Sequence, residues 1–327
     1  MTGSDRDSAR ARAAWLAADG AAPPTADVER FAEAGWRISL GAGATPVDLA
    51  IVDLGALSVS PKAIEAMAAT VRRAAPECVL VFRAGPSLSS AERAHLRRVG
   101  ELALSDAGPQ FLVALCRNRM RLRNIAEEAG ERLKSLAATS RLAEFPPIEC
   151  SAAAPSILVA GAPSPTALAA FTGADSAAGA IAGALTPAQT MRALEHGRFD
   201  VVVLSAASVN DPLVALARTL RSRRRWQDLP FLLVAPGATD EAALWASGFA
   251  ADILCKDDLA AELPSRAVAL ARRSRLTQAM RRFLLACAGE GVRDRLSGAF
   301  AAPFFALHAE RVFARADASG RAVSLVA

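Results

Sequence analysis

The chain has 327 residues, a length that suggests about two or three domains. With 52% hydrophobic and 22% charged residues it can bury substantial cores, which excludes a disordered chain. The net charge of +5 is gathered into three arginine-rich runs, "RNRMRLR" (117–123), "RSRRRW" (221–226) and "RRSRLTQAMRR" (272–282).

The N-terminal "MTGSDRDSARARAA" is polar and lacks the apolar core of a signal peptide. From there, short apolar runs alternate with segments of helical period, which predicts βα units around a parallel sheet. "AAWLAA" (13–18) reads as a strand, and "TADVERFAEAG" follows as a helix with Thr25 as its N-cap. "WRISLGA" (36–42) and "VDLAIVD" (47–53) read as strands, too close together for a normal intervening helix. The glycine-rich "GAGATP" (41–46) between them precedes a strand and reads as a loop, not as a phosphate-binding turn. The series continues with a helix at 60–74, a strand at 78–85, a helix at 89–100 and a strand at 101–105. A helix from about Pro109 to Ala138 then runs past the end of the unit.

"EFPPIECSAAAP" (144–155) is the best linker, because Pro-Pro breaks the helix and small residues follow. The order then repeats. Strands are expected at 156–161, weakly at 177–183, and at 200–206, 229–236 and 251–256. Helices are expected from Pro163, over 186–197 with Pro near its start and Gly after its end, over 211–222, over 239–247 and from about 258 to 287. The repeat of about 145 residues is a tandem duplication, since solenoid repeats are ~20–50 residues long. The predicted fold is therefore α/β, with two tandem flavodoxin-like (βα)5 units, each built on a five-stranded parallel sheet.

In such sheets functional groups collect at the carboxyl ends of the strands. Asp53, ending the third strand, is placed to act as a carboxylate nucleophile toward a phosphoryl group. That chemistry needs Mg²⁺ held by further carboxylates, with a hydroxyl and an ammonium nearby to read the phosphate. The bland alternative is a solvated acid at a strand end.

The repeat resembles response-regulator receiver domains. The whole order resembles the PleD type of response regulator, in which two receivers precede a GGDEF diguanylate cyclase domain. "FDVVVLSAAS", "LPFLLVAP" and "GFAADILCKDDLAAEL" are similar to the third, fourth and fifth strands of that type's second receiver. In "VRDRLSGAFAAPFFALHAERVFARADASGRAVSLVA" (292–327), Asp294, Leu296, Ser297 and Gly298 stand where the family has its D-x-L-T-G motif. There "AVSLVA" stands as the first strand of a partial GGDEF segment, and Ala301 and Ala302 replace the family's Asn-Arg. The implied division is a receiver-like domain over 1–125, a helix extension and linker over 126–155, a degenerate receiver-like domain over 156–271, a connecting helix over 272–291 and the GGDEF-like fragment over 292–327.

The resemblance implies site residues position by position. Asp53 matches the phospho-acceptor and, with Asp19, a possible Mg²⁺ site; the second acid of the metal pair falls on Ala18 or Gly20. Arg83 stands at the hydroxyl position and Ser105 at the lysine position. In the second unit Gly161 and Ala162 replace the paired acids, Ser205 the acceptor and Ala235 the hydroxyl. Lys256 remains there, followed by Asp257 where the family has proline. The cyclase signature would lie beyond Ala327, so no catalytic residue is expected in this chain.

With these substitutions the resemblance implies a non-catalytic scaffold or adaptor of two-component or cyclic-di-GMP signalling, similar to a degenerate PopA-like alphaproteobacterial member of the type. It would be cytoplasmic, homodimeric, and partnered by other signalling proteins such as a histidine kinase or phosphotransferase. The alternative is a switch, phosphorylated at Asp53, that governs a cyclase domain. The arginine runs are expected to be solvated helix faces or contacts for acidic partners. No aromatic interleaving or zinc spacing supports nucleic acid, and no apolar span of roughly 20 residues supports membrane insertion. Five scattered cysteines and three isolated histidines form no metal constellation, and Cys78 and Cys255 are expected to be small buried hydrophobes.

Overall fold

The computed structural model describes residues 11–41, 47–55, 59–85, 88–105, 108–139, 141–149, 153–161, 169–171, 179–208, 210–236, 251–255, 259–287, 292–294, 296–321 and 323. The expected loop at 42–46, the helix start at 163–168, the helix at 239–247, Ala162, Lys256, Asp257 and nearly all of the expected strand at 322–327 lie outside them.

The first sheet contains β1 (Ala11–Ala17), β2 (Trp36–Leu40), β3 (Leu49–Gly55), β4 (Val79–Ala84) and β5 (Glu101–Leu104). Its order is β2-β1-β3-β4-β5, with every pairing parallel. This is the flavodoxin-like order, with its switch point between β1 and β3. The second sheet contains β6 (Ile157–Gly161), β7 (Ile181–Ala184), β8 (Val201–Ser205), β9 (Phe231–Ala235) and β10 (Asp252–Cys255). It runs β7-β6-β8-β9-β10, the same order. The central strands are buried along almost their whole length, as a sheet covered on both faces requires.

Helices alternate with these strands: α1 (Thr25–Glu33), α2 (Pro61–Ala74), α3 (Ser90–Val99) and α4 (Pro109–Ala138) in the first unit, and α5 (Pro187–His196), α6 (Pro212–Ser222) and α7 (Leu259–Ala286) in the second. Local chemistry starts several of them. The Ser60 hydroxyl accepts from the Ala63 amide ahead of Pro61, and Ser89 with Glu92 forms a reciprocal capping box. Thr25 is not an N-cap: it is the first helical residue, Pro24 precedes it, and no side chain caps the end.

Sheet register refines the repeat. Ala13 lies opposite Leu49, and Ile157 lies opposite Val201, so the first strands are 144 residues apart. The third strands are 152 residues apart, as in Leu49 to Val201 and Asp53 to Ser205, and the fourth and fifth strands 151, as in Leu80 to Phe231 and Glu101 to Asp252. The second unit thus carries eight more residues between its first and third strands than the first unit does. The expected boundaries at 125 and 271 fall inside α4 and α7, single helices that extend past their sheets.

Beyond the sheets, α4 and α7 pack on each other and receive α8 (Ala302–Ser319). Ala129, Leu136, Met280, Phe283 and Phe304 form the apolar centre of this three-helix layer. The segment with the GGDEF resemblance is therefore folded back onto the first unit. Arg315 reaches Glu77 and Glu127, Arg321 reaches Asp48 at 2.8 Å, and Arg12 donates to the carbonyl of Gly320.

Candidate functional site

Asp53 does not end its strand. β3 continues to Gly55, with a register irregularity against β4 between those two residues. The irregularity lets the Gly55 amide turn back and donate to Asp53 Oδ1 at 3.0 Å. The neighbouring strands place Ala17 on one side of Asp53 and Arg83 on the other.

That adjacency decides the electrostatics. Arg83 Nη1 donates to Asp53 Oδ2 at 2.9 Å, and Arg83 Nε lies 3.4 Å from Asp27 Oδ2. The same guanidinium lies 5.8 Å from the centre of the Trp15 ring, which is buried beneath it. One cation thus serves two carboxylates, of which Asp27 is only 5% exposed. Burial pushes the Asp27 carboxyl up, the Arg83 charge draws it back, and Asp53 adds a smaller upward push.

Asp27 was not legible as a site residue, although a signal existed. In "TADVERF" it precedes Phe31 by one helical turn, and both are the buried residues of α1. An acid on the buried face of an amphipathic helix requires a partner, and Arg83 is that partner.

The expected metal pair is not assembled. Register makes Ala17 the counterpart of Gly161, so Ala18 is the counterpart of Ala162 and Asp19 lies one residue beyond. Asp19 is exposed, in the turn after β1, and its Oδ1 accepts the Ala21 amide at 2.9 Å. Ser105 lies half-buried just past β5. A divalent cation needs converging carboxylate oxygens with free lone pairs. Here a guanidinium already holds Asp53 and Asp27, and no group of three His, Cys, Asp or Glu among the described residues could hold a metal. The residues present do not fit the Mg²⁺ site that the resemblance implies.

In the second unit the described residues at the equivalent end are Gly161, Ser205 and Val234. Gly161 lies beside Ser205, and a Cβ added to it would sit 2.3 Å from the Ser205 carbonyl oxygen. Its φ of +100° also favours glycine. Ala235 is not the counterpart of Arg83 that the resemblance implied: Arg83 pairs with Asp53 and Val234 pairs with Ser205, so the buried Val234 stands at that position and the fully buried Ala235 lies one residue beyond. Asp211, on the following connection, caps α6 through the Leu213 amide at 2.8 Å and accepts the Ala207 amide at 2.9 Å.

Asp294, Leu296, Ser297 and Gly298 close a tight turn on themselves. Asp294 Oδ1 accepts the amides of Leu296 and Ser297 and the Ser297 hydroxyl, at 3.2, 2.8 and 2.8 Å. Those bonds hold its carboxyl below its ordinary pKa. Gly298 has a φ of +70°, and Leu296 is almost wholly exposed.

At the amino ends the two sheets agree in detail. Asp48 accepts the backbone N–H of Arg12 at 3.2 Å, and Asp200 accepts that of Ser156 at 2.8 Å. Arg123 of α4 faces Asp48 at 3.8 Å, while Arg275 of α7 forks Asp200 at 2.8 and 2.7 Å. Each pair is separated by the 152-residue offset. Among the cysteines, Cys78 is half-buried and not fully buried as expected, whereas Cys116 and Cys287 are buried; all three are free thiols. Burial pushes the Cys116 thiol far up. No helix among the described residues is long and apolar enough to cross a membrane.

No protein-family model matches the chain, and no curated protein sequence matches it. Solved structures do. The receiver domain of the Francisella response regulator 1452 is 19% identical, over 37% of this chain and 98% of that one, with a TM-score of 0.30. The signal receiver domain of a signal transduction histidine kinase from Syntrophus aciditrophicus is 18% identical, over 36% and 90%, with a TM-score of 0.31. The chemotaxis response regulator CheY4 of Vibrio cholerae is 16% identical, over 35% and 98%, with a TM-score of 0.29.

Proposed function

We propose that the protein is a non-catalytic signalling scaffold of the two-component or cyclic-di-GMP network, in which two receiver-like units act as one body. The observation that carries this reading is the ion pair of Arg83 with Asp53, shared with Asp27. It fills the place of the metal and phosphate with a side chain of the protein itself. The flavodoxin-like strand order in both units supports the receiver ancestry, and Gly161, Ser205 and Val234 leave the second unit without acceptor chemistry. No residue is assigned a catalytic role.

The junction between the units supports a fixed arrangement. Arg97 of α3 pairs with Glu262 of α7, which is 3% exposed and also faces Arg266. Arg266 in turn forks Asp252 at the start of β10. Nearby, Glu101 accepts from Arg119 at 2.6 Å and from Arg273 at 3.1 Å. Removing one partner of a buried pair leaves an uncompensated charge, so such pairs disfavour any other register between the units. On this reading the scaffold presents one shape to other signalling proteins.

The test is incubation with acetyl phosphate, or with beryllofluoride and Mg²⁺, followed by mass spectrometry and measurement of oligomeric state. The scaffold reading expects no adduct and no change, in wild type and Asp53→Asn alike. An adduct on Asp53 with a change of assembly that Asp53→Asn abolishes would overturn it in favour of a phosphorylation switch.

A further inference from the structure

The three arginine runs, far apart in sequence, meet in the fold. A cavity of about 190 Å³ lies between α4, α6 and α7, near the amino ends of β9 and β10. Into it come Arg119 and Arg121 from the first run, Arg221 from the second, and Arg273 and Arg281 from the third. The expectation of solvated faces holds for Arg117, Arg223, Arg224 and Arg225, which are exposed, while α4 and α7 turn other members of the runs toward one another.

Five guanidiniums share this space with few carboxylates. Asp228 on the wall pairs with Arg281, and Glu101 serves Arg119 and Arg273 together. Asp252, within electrostatic reach of Arg119, is already forked by Arg266. Arg221 donates to the carbonyl of Gln227. Burial lowers its pKa and the like charge of Arg121 lowers it further, against the pull of Asp228. Arg119 Nε is buried with no hydrogen-bond partner. Like charges held this close repel, and the folded chain leaves much of that repulsion uncompensated.

We propose that this cavity binds a small phosphate-bearing ligand, whose charge compensates the arginines and whose body bridges the two units. The planar forks of arginine match phosphate oxygens better than any other cationic side chain does. Phe111, Leu115 and Leu270 give the same cavity an apolar wall, so a phosphate ester with a ring fits better than bare phosphate. The volume suits this: an enclosed space of about 150 Å³ is enough for benzene. The site lies at the opposite end of the strands from Asp53 and does not depend on the scaffold reading.

Binding of inorganic tripolyphosphate and of ATP, measured by calorimetry on the whole chain at low salt, tests the proposal. Both should bind and weaken as ionic strength rises, and ATP should bind more tightly if the apolar wall is used. Arg121→Glu should weaken both by about tenfold or more, because it reverses one charge at the cavity mouth. Arg121 is exposed and forms no ion pair among the described residues, so this variant should fold as the wild type does. Arg221→Gln should weaken both less, and Arg121→Lys should retain binding of tripolyphosphate. No binding of either compound at low salt, or equal binding by wild type and Arg121→Glu, would overturn the site.

Discussion

Asp48 and Asp200 take a backbone amide from the amino end of the first strand of their sheet, that of Arg12 within β1 and of Ser156 just before β6, and each faces an arginine from the last helix of its unit. At the other end of the same two sheets, Asp53 faces Arg83 in one unit, while Ser205 lies opposite the buried Val234 in the other. The two units thus share their mechanical anchors and differ at their carboxyl ends. In the first unit a carboxylate is neutralised by an internal cation. In the second a serine stands at that position, with no room for a Cβ on Gly161 beside it. An anchor at the amino ends is needed by any sequence that folds this way, whereas the carboxyl end tolerates different side chains.

The comparison breaks first at the anchors. Arg275→Ala should destabilise by about 2–3 kcal/mol, since it strands the largely buried Asp200 carboxylate. Arg123→Ala should cost less, because Arg321 also holds Asp48, at 2.8 Å. Denaturant melts of both variants measure the difference. Equal losses would mean that the two anchors are equivalent after all.

Gly161→Ala should cost about 2 kcal/mol or more, from the contact with the Ser205 carbonyl and the positive φ. Its counterpart in the first unit is already Ala17, at ordinary strand geometry. A harmless Gly161→Ala in a thermal melt would show that the second unit's carboxyl end is as open as the first's.

Arg83→Met should cost about 2 kcal/mol near pH 7, because Asp27 loses its countercharge while remaining buried. The Asp27 carboxyl is already raised by burial, and loss of Arg83 raises it further. The native variant then binds more protons than the unfolded chain does at pH values above the ordinary Asp range. Its deficit should therefore shrink as pH falls toward that range. A deficit independent of pH would mean that Arg83 stabilises through its contact with Trp15 and not through charge.

Most of the architecture was legible because strands and helices carry their own periods. The runs "DVVVLSA" and "LPFLLVAP" contain β8 and β9, and the helix expected over Pro109–Ala138 has those limits. What was not legible depends on register and on distant contact. A one-residue ambiguity around Asp19 could be resolved only by the pairing of Ala17 with Asp53. Arg83 read as a lost hydroxyl, because nothing in "VFRAG" says that Asp27, fifty-six positions earlier in the numbering, is buried beside it. The convergence of three arginine runs has no local signature at all, since it arises only when α4 packs on α7. Likewise nothing in "VRDRLSG" says that the helix after it docks on α4.

That docking provides the smallest effect and the last contrast between the units. At the 152-residue offset Glu128 of α4 corresponds to Met280 of α7, and Met280 packs in the apolar layer. Glu128 Oε1 instead lies 3.5 Å from His308 Nε2 of α8 and accepts from Arg132. His308 is stacked on Phe304, and its Nδ1 lies 3.3 Å from the Ser135 hydroxyl. The hydrogen bond from His308, helped by Arg132, holds the Glu128 carboxyl down at about 2 against an ordinary 4.5. A carboxyl depressed in the folded state stabilises above its unfolded pKa, and that contribution is lost as pH falls from about 4.5 to about 2. Glu128 is about a third exposed, so solvent screening holds the effect to about 1 kcal/mol or less. Acid titration of stability should accordingly be shallower in Glu128→Gln than in wild type across that window. If the two slopes coincide, α8 is held by its apolar face alone, as Met280 holds α7, and the polar clamp adds nothing to the first unit.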